Sequence, residues 1–355
     1  MKDSKSNKPV FLYIVIAVLV LALAALGVLT FASLDRLASL QAKVTQMSET
    51  VEEISESAST LIQQSMQLEE LKKEEASMPD TSSNEADSSQ TEGTLSPSNG
   101  STFTGNTDES MDQLLGQVEQ LLPKDNGTWS VYVCNLMKGS EGSIASAPMQ
   151  AASLIKLFIM GSVYENYDAL SEQYDRETLD SHIHNMITVS DNDAANTLVN
   201  WLGGGNDTEG LAKVNAFCQA HGYKDTQMNR LLLAGTENGD NYTSVKDCGT
   251  FLKEIYQICN NLPTDSSLTN AQAMYYHLKL QQRKNKIPAQ IPEGVHVANK
   301  TGELSNVEND AGIIFDTAQG VDLVVCFMSQ DLTDTGAAQE TIASNARAIY
   351  GYYNE

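Results

Sequence analysis

An uncharged apolar run near the N-terminus constrains the organisation of this chain more than any other feature. Residues 9–34 are mostly Val, Leu, Ala, Ile and aromatic residues. Because about 20 such residues cross the hydrocarbon core of a bilayer, the run predicts a transmembrane helix. A cleavable signal peptide is the alternative, but its apolar segment is shorter, about 7–15 residues, and no clear small-residue cleavage site follows here. We therefore expect a single-pass anchor.

The charges on either side of this run predict its orientation. Residues 1–8 carry three lysines, whereas Asp35 and Arg36 nearly cancel each other on the far side. Positive charge favours the cytoplasmic side of a membrane. We therefore expect a cytoplasmic N-terminal tail, a location in the cell membrane, and an extracytoplasmic position for everything after residue 34.

A heptad pattern follows the predicted membrane helix. Through residues 35–78, apolar side chains recur at alternating steps of 3 and 4, for example at Leu40, Val44 and Met47. This spacing predicts a coiled-coil stalk, in which residues 37–71 could join copies of the chain in a homo-oligomer. A single solvated helix is the alternative.

The rest of the chain divides into a polar segment and one globular domain. Residues 79–107 are rich in Ser, Thr, Asn, Asp, Glu and Gly and have few apolar side chains. Such a segment cannot bury enough surface to fold, so we expect a disordered linker. Only residues 108–355 have a composition typical of a folded core, which predicts one catalytic domain.

Composition and residue spacing argue against two classes of function. The formal net charge is -24, and nucleic-acid binding needs clustered Lys and Arg side chains that this chain lacks. The 5 cysteines form no Cys-x-x-Cys pair, and the 5 histidines have no His-Glu-x-x-His spacing. We therefore expect no metal site and no cofactor. Nothing in the spacing requires a disulfide.

The hydrophobic periodicity of the domain predicts an α+β fold. Helical patterns at its two ends span residues 108–122 and 337–353, and the strand candidates are residues 128–136, 143–147, 295–301, 309–315 and 321–328. The stretch between the two groups of strands, residues 153–280, is mostly helical in pattern. Strands from both ends with helices between them imply one antiparallel sheet faced by helices, and a separate helical lobe. A site would lie in the cleft between them.

Ser153 and Lys156 form the first of three short motifs. They lie three residues apart at the start of a predicted helix, residues 152–160, so their side chains share a face. A serine nucleophile needs an adjacent base, and a lysine whose pKa is lowered by burial can be that base. The backbone N–H of Ser153 could also donate to an oxyanion. Alone, this pair has little specificity.

The second motif is Ser190-Asp191-Asn192, which we place in a loop between two helices of the lobe. Ser190 would relay a proton to the leaving group, and Asn192 would hold the lysine or a substrate amide. A helix N-cap is the alternative interpretation, because Ser, Asp and Asn all favour helix starts.

The third motif is Lys300-Thr301-Gly302, at the end of a predicted strand. The lysine offers positive charge to a substrate carboxylate, the threonine offers a hydroxyl, and the glycine allows close approach of a substrate backbone. The backbone N–H of Glu303 would be a second oxyanion donor. Alone, such a turn would more often be structural.

In this order, the three motifs resemble those of class A β-lactamases and penicillin-binding proteins. The resemblance covers the whole predicted domain and implies a β-lactamase/transpeptidase-like fold. It also implies a serine hydrolase, membrane-anchored here by the predicted helix at residues 9–34, in which Ser153 is the acylated nucleophile, Lys156 its general base and Ser190 the proton relay. By the same resemblance, Lys300 and Thr301 anchor a substrate carboxylate.

The sequence departs from this family at two points. Its efficient hydrolases carry a glutamate in an omega loop that activates the deacylating water, but residues 226–234 here hold no acid, and Glu237 falls late in the loop. After Lys300 the one cationic residue is Arg347, so no arginine is apparent beside the Lys-Thr-Gly motif. The resemblance therefore predicts acylation more firmly than deacylation.

Three functions remain open at this point. The first is β-lactam ring opening through an acyl-enzyme at Ser153, slow because the omega-loop glutamate is missing. The second is a peptidoglycan D,D-peptidase or esterase, so that the partner is either a β-lactam or a peptidoglycan-derived acyl donor. The third is a non-catalytic cell-envelope binding protein, which the intact set of Ser and Lys residues argues against.

Overall fold

A five-stranded antiparallel sheet forms the centre of this computed structural model, which describes residues 105–355. Its strands are β1 (Thr128–Asn135), β2 (Ser140–Ile144), β5 (His296–Leu304), β6 (Val307–Phe315) and β7 (Leu323–Gln330). They lie in the order β2-β1-β7-β6-β5, so strands from the two ends of the domain meet where β1 pairs with β7. Two short strands, β3 (Met149–Gln150) and β4 (Tyr242–Thr243), pair separately.

Nine helices surround this sheet in the described residues: α1 (Glu109–Leu121), α2 (Ile155–Glu165), α3 (Tyr167–Gln173), α4 (Arg176–Thr188), α5 (Asn192–Leu202), α6 (Asp207–Ala220), α7 (Val245–Cys259), α8 (Ala271–Lys279) and α9 (Thr335–Asn354). Local sequence sets their ends. The Asp108 carboxylate accepts a hydrogen bond from the Met111 N–H, which caps α1, and Pro123 follows the end of that helix.

Both faces of the sheet are buried, because alternate residues of β1 belong to different cores. Val131 and Val133 pack with α1 and α9, whereas Tyr132 and Cys134 pack with the helices between the two groups of strands. Successive side chains of a strand point to opposite faces. The sheet therefore lies between one helical layer made by the two ends of the domain and a helical lobe made by its middle.

The structure confirms the predicted α+β class, with its antiparallel sheet and helices at both ends, and corrects two strand boundaries. The second strand begins at Ser140 rather than at residue 143, because Gly139, at a φ of 72°, makes the turn. Gly142 lies inside the strand, where a Cβ would meet the Leu115 side chain. Strand β5 continues to Leu304 through pairing with β6, so the Lys-Thr-Gly motif lies inside a strand and not at its end.

The predicted tail, membrane helix, stalk and most of the linker lie outside the described residues. Within the described part of the chain, no helix is long and apolar enough to cross a membrane.

All 5 cysteines are free thiols, and all but Cys259 are buried. Burial raises the pKa of Cys134 and of Cys248 to about 12. Both thiols are therefore protonated at neutral pH and act as small apolar side chains of the core.

Candidate active site

The candidate nucleophile lies in a short 3-10 turn, Ala152–Leu154, directly before α2. The sequence placed Ser153 inside the α-helix, but the α-helix begins only at Ile155. Ala152 has a φ of 46°, a left-handed conformation that costs energy for any residue except glycine. Ser153 stays partly exposed while its two neighbours are buried, so its hydroxyl faces open space.

An asparagine of the sheet fixes the backbone that leads into this turn. The Asn309 side-chain amide on β6 donates to the carbonyl oxygens of Gln150 (2.9 Å) and Ala151 (3.2 Å), and its own oxygen accepts from the Ser329 N–H (3.1 Å). Asn309 is fully buried. The sheet therefore sets the position of Ser153 through paired, desolvated hydrogen bonds.

Lys156 lies in the first turn of α2 with its side chain fully buried. Its amine donates to the Ser190 carbonyl oxygen (2.6 Å), the Ser190 hydroxyl (3.1 Å) and the Asn192 side-chain oxygen (2.7 Å). These contacts use all three donors of the ammonium, and no hydrogen bond in the described residues joins it to Ser153. Burial lowers the pKa of Lys156 to about 7, so much of it is neutral at physiological pH.

The Ser190 hydroxyl lies between two amines. Besides its contact with Lys156, it accepts a hydrogen bond from the Lys300 amine at 2.9 Å. Ser190 has a φ of 62°, a strained conformation that directs it inward between α4 and α5. Asp191 caps α5 through the Ala194 N–H, so the motif serves both as a helix cap and as part of the site.

Lys300 and Thr301 are buried on β5, and Lys300 also donates to the Thr301 carbonyl oxygen at 2.7 Å. Burial and the positive charge of Lys156 hold the pKa of Lys300 well below its usual range. Protonating one amine therefore disfavours protonation of the other. A shared hydroxyl between two such amines can pass a proton from one side of the site to the other.

Gly302 allows the strand to approach the nucleophile. A Cβ at this position would lie 3.0 Å from the Ala151 carbonyl oxygen and 3.2 Å from the Ser153 nitrogen. Strand β5 is at the edge of the sheet, and its unpaired edge runs along the Ser153 turn. The two expected oxyanion donors, the N–H groups of Ser153 and Glu303, therefore belong to neighbouring backbones.

Two cations beside this strand were missed by the sequence analysis. Lys286 is fully buried, and its amine lies 2.6 Å from a Glu308 carboxylate oxygen and 3.0 Å from one of Glu303. The Arg283 guanidinium lies 2.7 Å from the other Glu303 oxygen. Hydrophobic periodicity could not reveal them, since a buried lysine looks like a surface residue in sequence.

The expectation that no arginine accompanies the Lys-Thr-Gly motif was wrong. Arg347, the one arginine after Lys300 in the sequence, lies on α9 and pairs with Glu355 at 2.8 Å. Arg283 comes from the loop after α8, earlier in the chain. Chain order does not restrict which loop packs beside a strand.

The loop that corresponds to the family's omega loop places a leucine next to the site. Asn196 lies one helical turn after Asn192 on α5 and forms two hydrogen bonds with the Leu232 backbone. The Leu232 side chain is buried, whereas Leu233 is 79% exposed and Glu237 is exposed. No carboxylate therefore occupies the part of the loop that packs on α5.

The buried acid of this loop is Asp240, and it is already paired. One of its oxygens lies 2.7 Å from the Arg230 guanidinium, and the other accepts from the Gln150 side-chain amide at 2.9 Å. Since Gln150 lies three residues before Ser153, this pair ties the loop to the nucleophile segment. Asp240 is therefore a partner in a buried ion pair, and both of its oxygens are held by neighbouring side chains.

A separate surface cavity of the domain lies away from the three motifs. It has a volume of about 420 Å³ and is bounded by α7 and the segment around Ser266. Its lysine, Lys253, is neutralised by Glu141 at 2.5 Å. No residue of the three motifs lines this cavity.

Several solved structures have a similar fold. The structure of PBP-A matches with a TM-score of 0.58 and 23% identity, over 70% of this chain and 99% of that chain. A leucine-to-glutamate mutant of PBP-A, in an acyl-enzyme complex with penicillin G, gives 0.57 and 24%, over 68% and 97%. A β-lactamase from Sphaerobacter thermophilus gives 0.54 and 23%, over 67% and 95%.

The sequence itself shows the family. No curated protein matches the chain. The profile of the Beta-lactamase enzyme family matches residues 170–353, which include the second and third motifs but begin after Ser153 and Lys156. Because this match covers more than half of the sequence and the described domain has the β-lactamase fold, the chain belongs to the Beta-lactamase enzyme family.

Proposed function

We propose that this domain is a serine hydrolase that forms an acyl-enzyme at Ser153 and releases it slowly, with β-lactams among its acyl donors. The observation that carries this proposal is the Ser190 hydroxyl, held between the buried amines of Lys156 and Lys300 at 3.1 and 2.9 Å. Two buried amines on one hydroxyl are costly to maintain, and proton transfer is the use that this arrangement supports.

Acylation would begin with proton transfer from the Ser153 hydroxyl to the neutral Lys156 amine. The serine oxygen then attacks the carbonyl carbon, and the oxyanion is stabilised by the N–H groups of Ser153 and Glu303. The proton passes from Lys156 through Ser190 to the leaving nitrogen as the C–N bond breaks. An ester on Ser153 and a free amine result. Lys300 and Thr301 lie on the side where the leaving part of the substrate is expected to bind.

Deacylation is the weak step in this proposal. A water molecule needs a base to attack the ester, and the loop that packs on α5 offers Leu232 in place of an acid. The same observation favours a second candidate, a peptidoglycan D,D-peptidase or esterase. In such an enzyme, a β-lactam ester on Ser153 is expected to persist. A purely non-catalytic binding role gives no reason to keep Lys156 and Lys300 buried.

The predicted membrane anchor bears on where in the cell this chemistry takes place. We propose that residues 9–34 anchor the chain and that the domain acts outside the cytoplasmic membrane. The stalk and linker would then hold the site at a distance from the lipid surface, where cell-wall peptides are accessible.

The test is to incubate the full chain, solubilised in detergent, with a chromogenic cephalosporin while following colour and intact mass. We expect one adduct per chain that decays slowly, and no adduct in Ser153→Ala. Rapid sustained turnover would favour an efficient β-lactamase, and a stable adduct would favour the peptidase or esterase. A wild-type chain that forms no adduct rules out the acyl-enzyme proposal.

A further inference from the structure

Glu303 is an acidic side chain at the rim of the proposed site. It follows Gly302, whose α-carbon lies against the Ser153 backbone, and it shares a strand face with Thr301 two residues earlier. Its side chain is 29% exposed, so it borders the cleft. A donor held by Thr301, as the third motif predicts, would have the Glu303 carboxylate on the same strand face two residues away.

The Glu303 carboxylate neutralises the more exposed of the two nearby cations. Lys286 is fully buried and already has Glu308 at 2.6 Å. Arg283 is 47% exposed and lies 2.7 Å from Glu303, which is its ion-pair partner among the described residues. Burial raises the pKa of Glu303, but Lys286 and Arg283 outweigh it and hold that pKa below its usual value, so the group is ionised at neutral pH.

Arg283 is within electrostatic reach of the catalytic amines. Its positive charge contributes to the lowered pKa values of both Lys156 and Lys300. An arginine in this position is suited to bind a substrate carboxylate through two parallel hydrogen bonds. Here the Glu303 carboxylate pairs with the Arg283 guanidinium, so a carboxylate of the chain itself takes the place of a substrate carboxylate.

We propose that Glu303 is a specificity residue that makes the site favour neutral acyl donors, such as esters, over donors with a carboxylate beside the scissile bond. This inference rests on the proposed acylation of Ser153. An anionic donor must either displace Glu303 from Arg283 or bind next to a like charge, and both disfavour it. A neutral donor meets neither obstacle.

The test compares benzylpenicillin with its methyl ester, which differ in that charge and in one methyl group. Using the full chain in detergent, the rate of adduct formation at Ser153 is measured by intact mass for both compounds. The variant Glu303→Gln keeps the backbone N–H and the shape of the side chain but removes its charge. We expect the rate for the acid divided by the rate for the ester to rise about tenfold, the effect of removing one charge at close range. The matched control is Glu340→Gln, which removes the charge of an exposed glutamate on α9. In this variant the ratio of acid to ester rates should equal that of the wild-type chain.

A second variant is expected to change the acid-to-ester rate ratio in the opposite direction, so the test remains possible if the first variant does not fold. Arg283→Gln leaves the Glu303 charge without its exposed partner, so the acid-to-ester ratio should fall. A ratio unchanged in these folded variants overturns the role of Glu303. Absence of adducts from both compounds in the wild-type chain overturns the proposed function instead, and the two failures are therefore distinguishable.

Discussion

The Asn196 side chain holds Leu232 by two hydrogen bonds: its amide donates to the Leu232 carbonyl oxygen at 3.0 Å, and its oxygen accepts from the Leu232 N–H at 2.9 Å. Asn196 is one turn along α5 from Asn192, which contacts the Lys156 amine. The loop backbone at Leu232 is thus fixed to the same helix that contacts the Lys156 amine, the proposed base.

We expect Leu232→Glu to increase turnover of the acyl-enzyme. A carboxylate on this fixed backbone could activate water, and general-base catalysis contributes about 10²–10⁴-fold. The measurement is steady-state hydrolysis of a chromogenic cephalosporin, together with the lifetime of the Ser153 adduct. Leu232→Gln is the matched control, because it introduces a polar side chain of the same length without a base. Equal adduct lifetimes in the two variants would show that the loop does not reach the ester.

The rate of acylation should rise with pH through about 7. The ordinary pKa of lysine is near 10.5, and burial lowers that of Lys156 to about 7, so below this pH the amine is protonated and cannot accept the Ser153 proton. Two pH units below, the neutral fraction and the rate should be about a hundredfold lower. The profile reports the coupled pair Lys156 and Lys300 together.

The measurement for this second prediction is the second-order rate of adduct formation from pH 5 to pH 9, with folding checked by circular dichroism at each pH. Lys156→Arg, which stays charged throughout this range, should not form the adduct. A flat pH profile in the wild-type chain would remove Lys156 from the role of base.

Local sequence predicted the parts of the site that depend on local geometry. Ser190 and Asn192 lie two residues apart in a loop that starts a helix, so one short motif carries both side chains that contact the Lys156 amine. The sheet was predictable because its strands are short runs rich in β-branched and aromatic residues, bounded by Gly, Asp or Asn, and such runs identify strands whatever their partners are.

Contacts made between distant segments could not be predicted in this way. Lys286 and Arg283 reach Glu303 from a loop after α8, and Asp240 reaches Gln150 across the sequence. Each of these side chains is charged or polar, and its position depends on partners that no local pattern reveals. The strained backbone at Ser190 is likewise maintained by contacts with surrounding residues, so the local sequence does not predict it.

Gly302→Ala should slow acylation while leaving the fold intact. The added methyl group would lie 3.0 Å from the Ala151 carbonyl oxygen and 3.2 Å from the Ser153 nitrogen, so the strand and the nucleophile turn must move apart by a few tenths of an ångström. Small misplacements of reacting groups are costly, and we expect a loss of about tenfold to a hundredfold in the rate of adduct formation.

Gly116→Ala is the matched control for this third prediction. Gly116 lies in α1, and nothing lies within 4 Å of the position of its added Cβ, so the same substitution should leave the rate unchanged and slightly raise stability. If Gly302→Ala acylates at the wild-type rate, close approach of β5 to Ser153 is not needed for the reaction.

The ion pair between Arg230 and Asp240 should stabilise the domain as well as shape the loop. Their side chains are only 13% and 10% exposed, so removing one partner leaves a largely buried charge without compensation. We expect Asp240→Ala to lower the free energy of unfolding by about 3–5 kcal/mol, whereas Arg347→Ala, in the exposed pair with Glu355, should cost less than about 1 kcal/mol.

Denaturant unfolding of the single and double variants measures this coupling. Because the double variant Arg230→Ala/Asp240→Ala leaves neither charge unpaired, it should be destabilised by less than the sum of the two single variants. Strict additivity would contradict the interpretation that the pair is coupled.

The Asp240 carboxylate also holds Gln150, three residues before Ser153, so Asp240→Ala should slow adduct formation at Ser153 even at temperatures where the variant stays folded. Arg347→Ala should leave that rate unchanged.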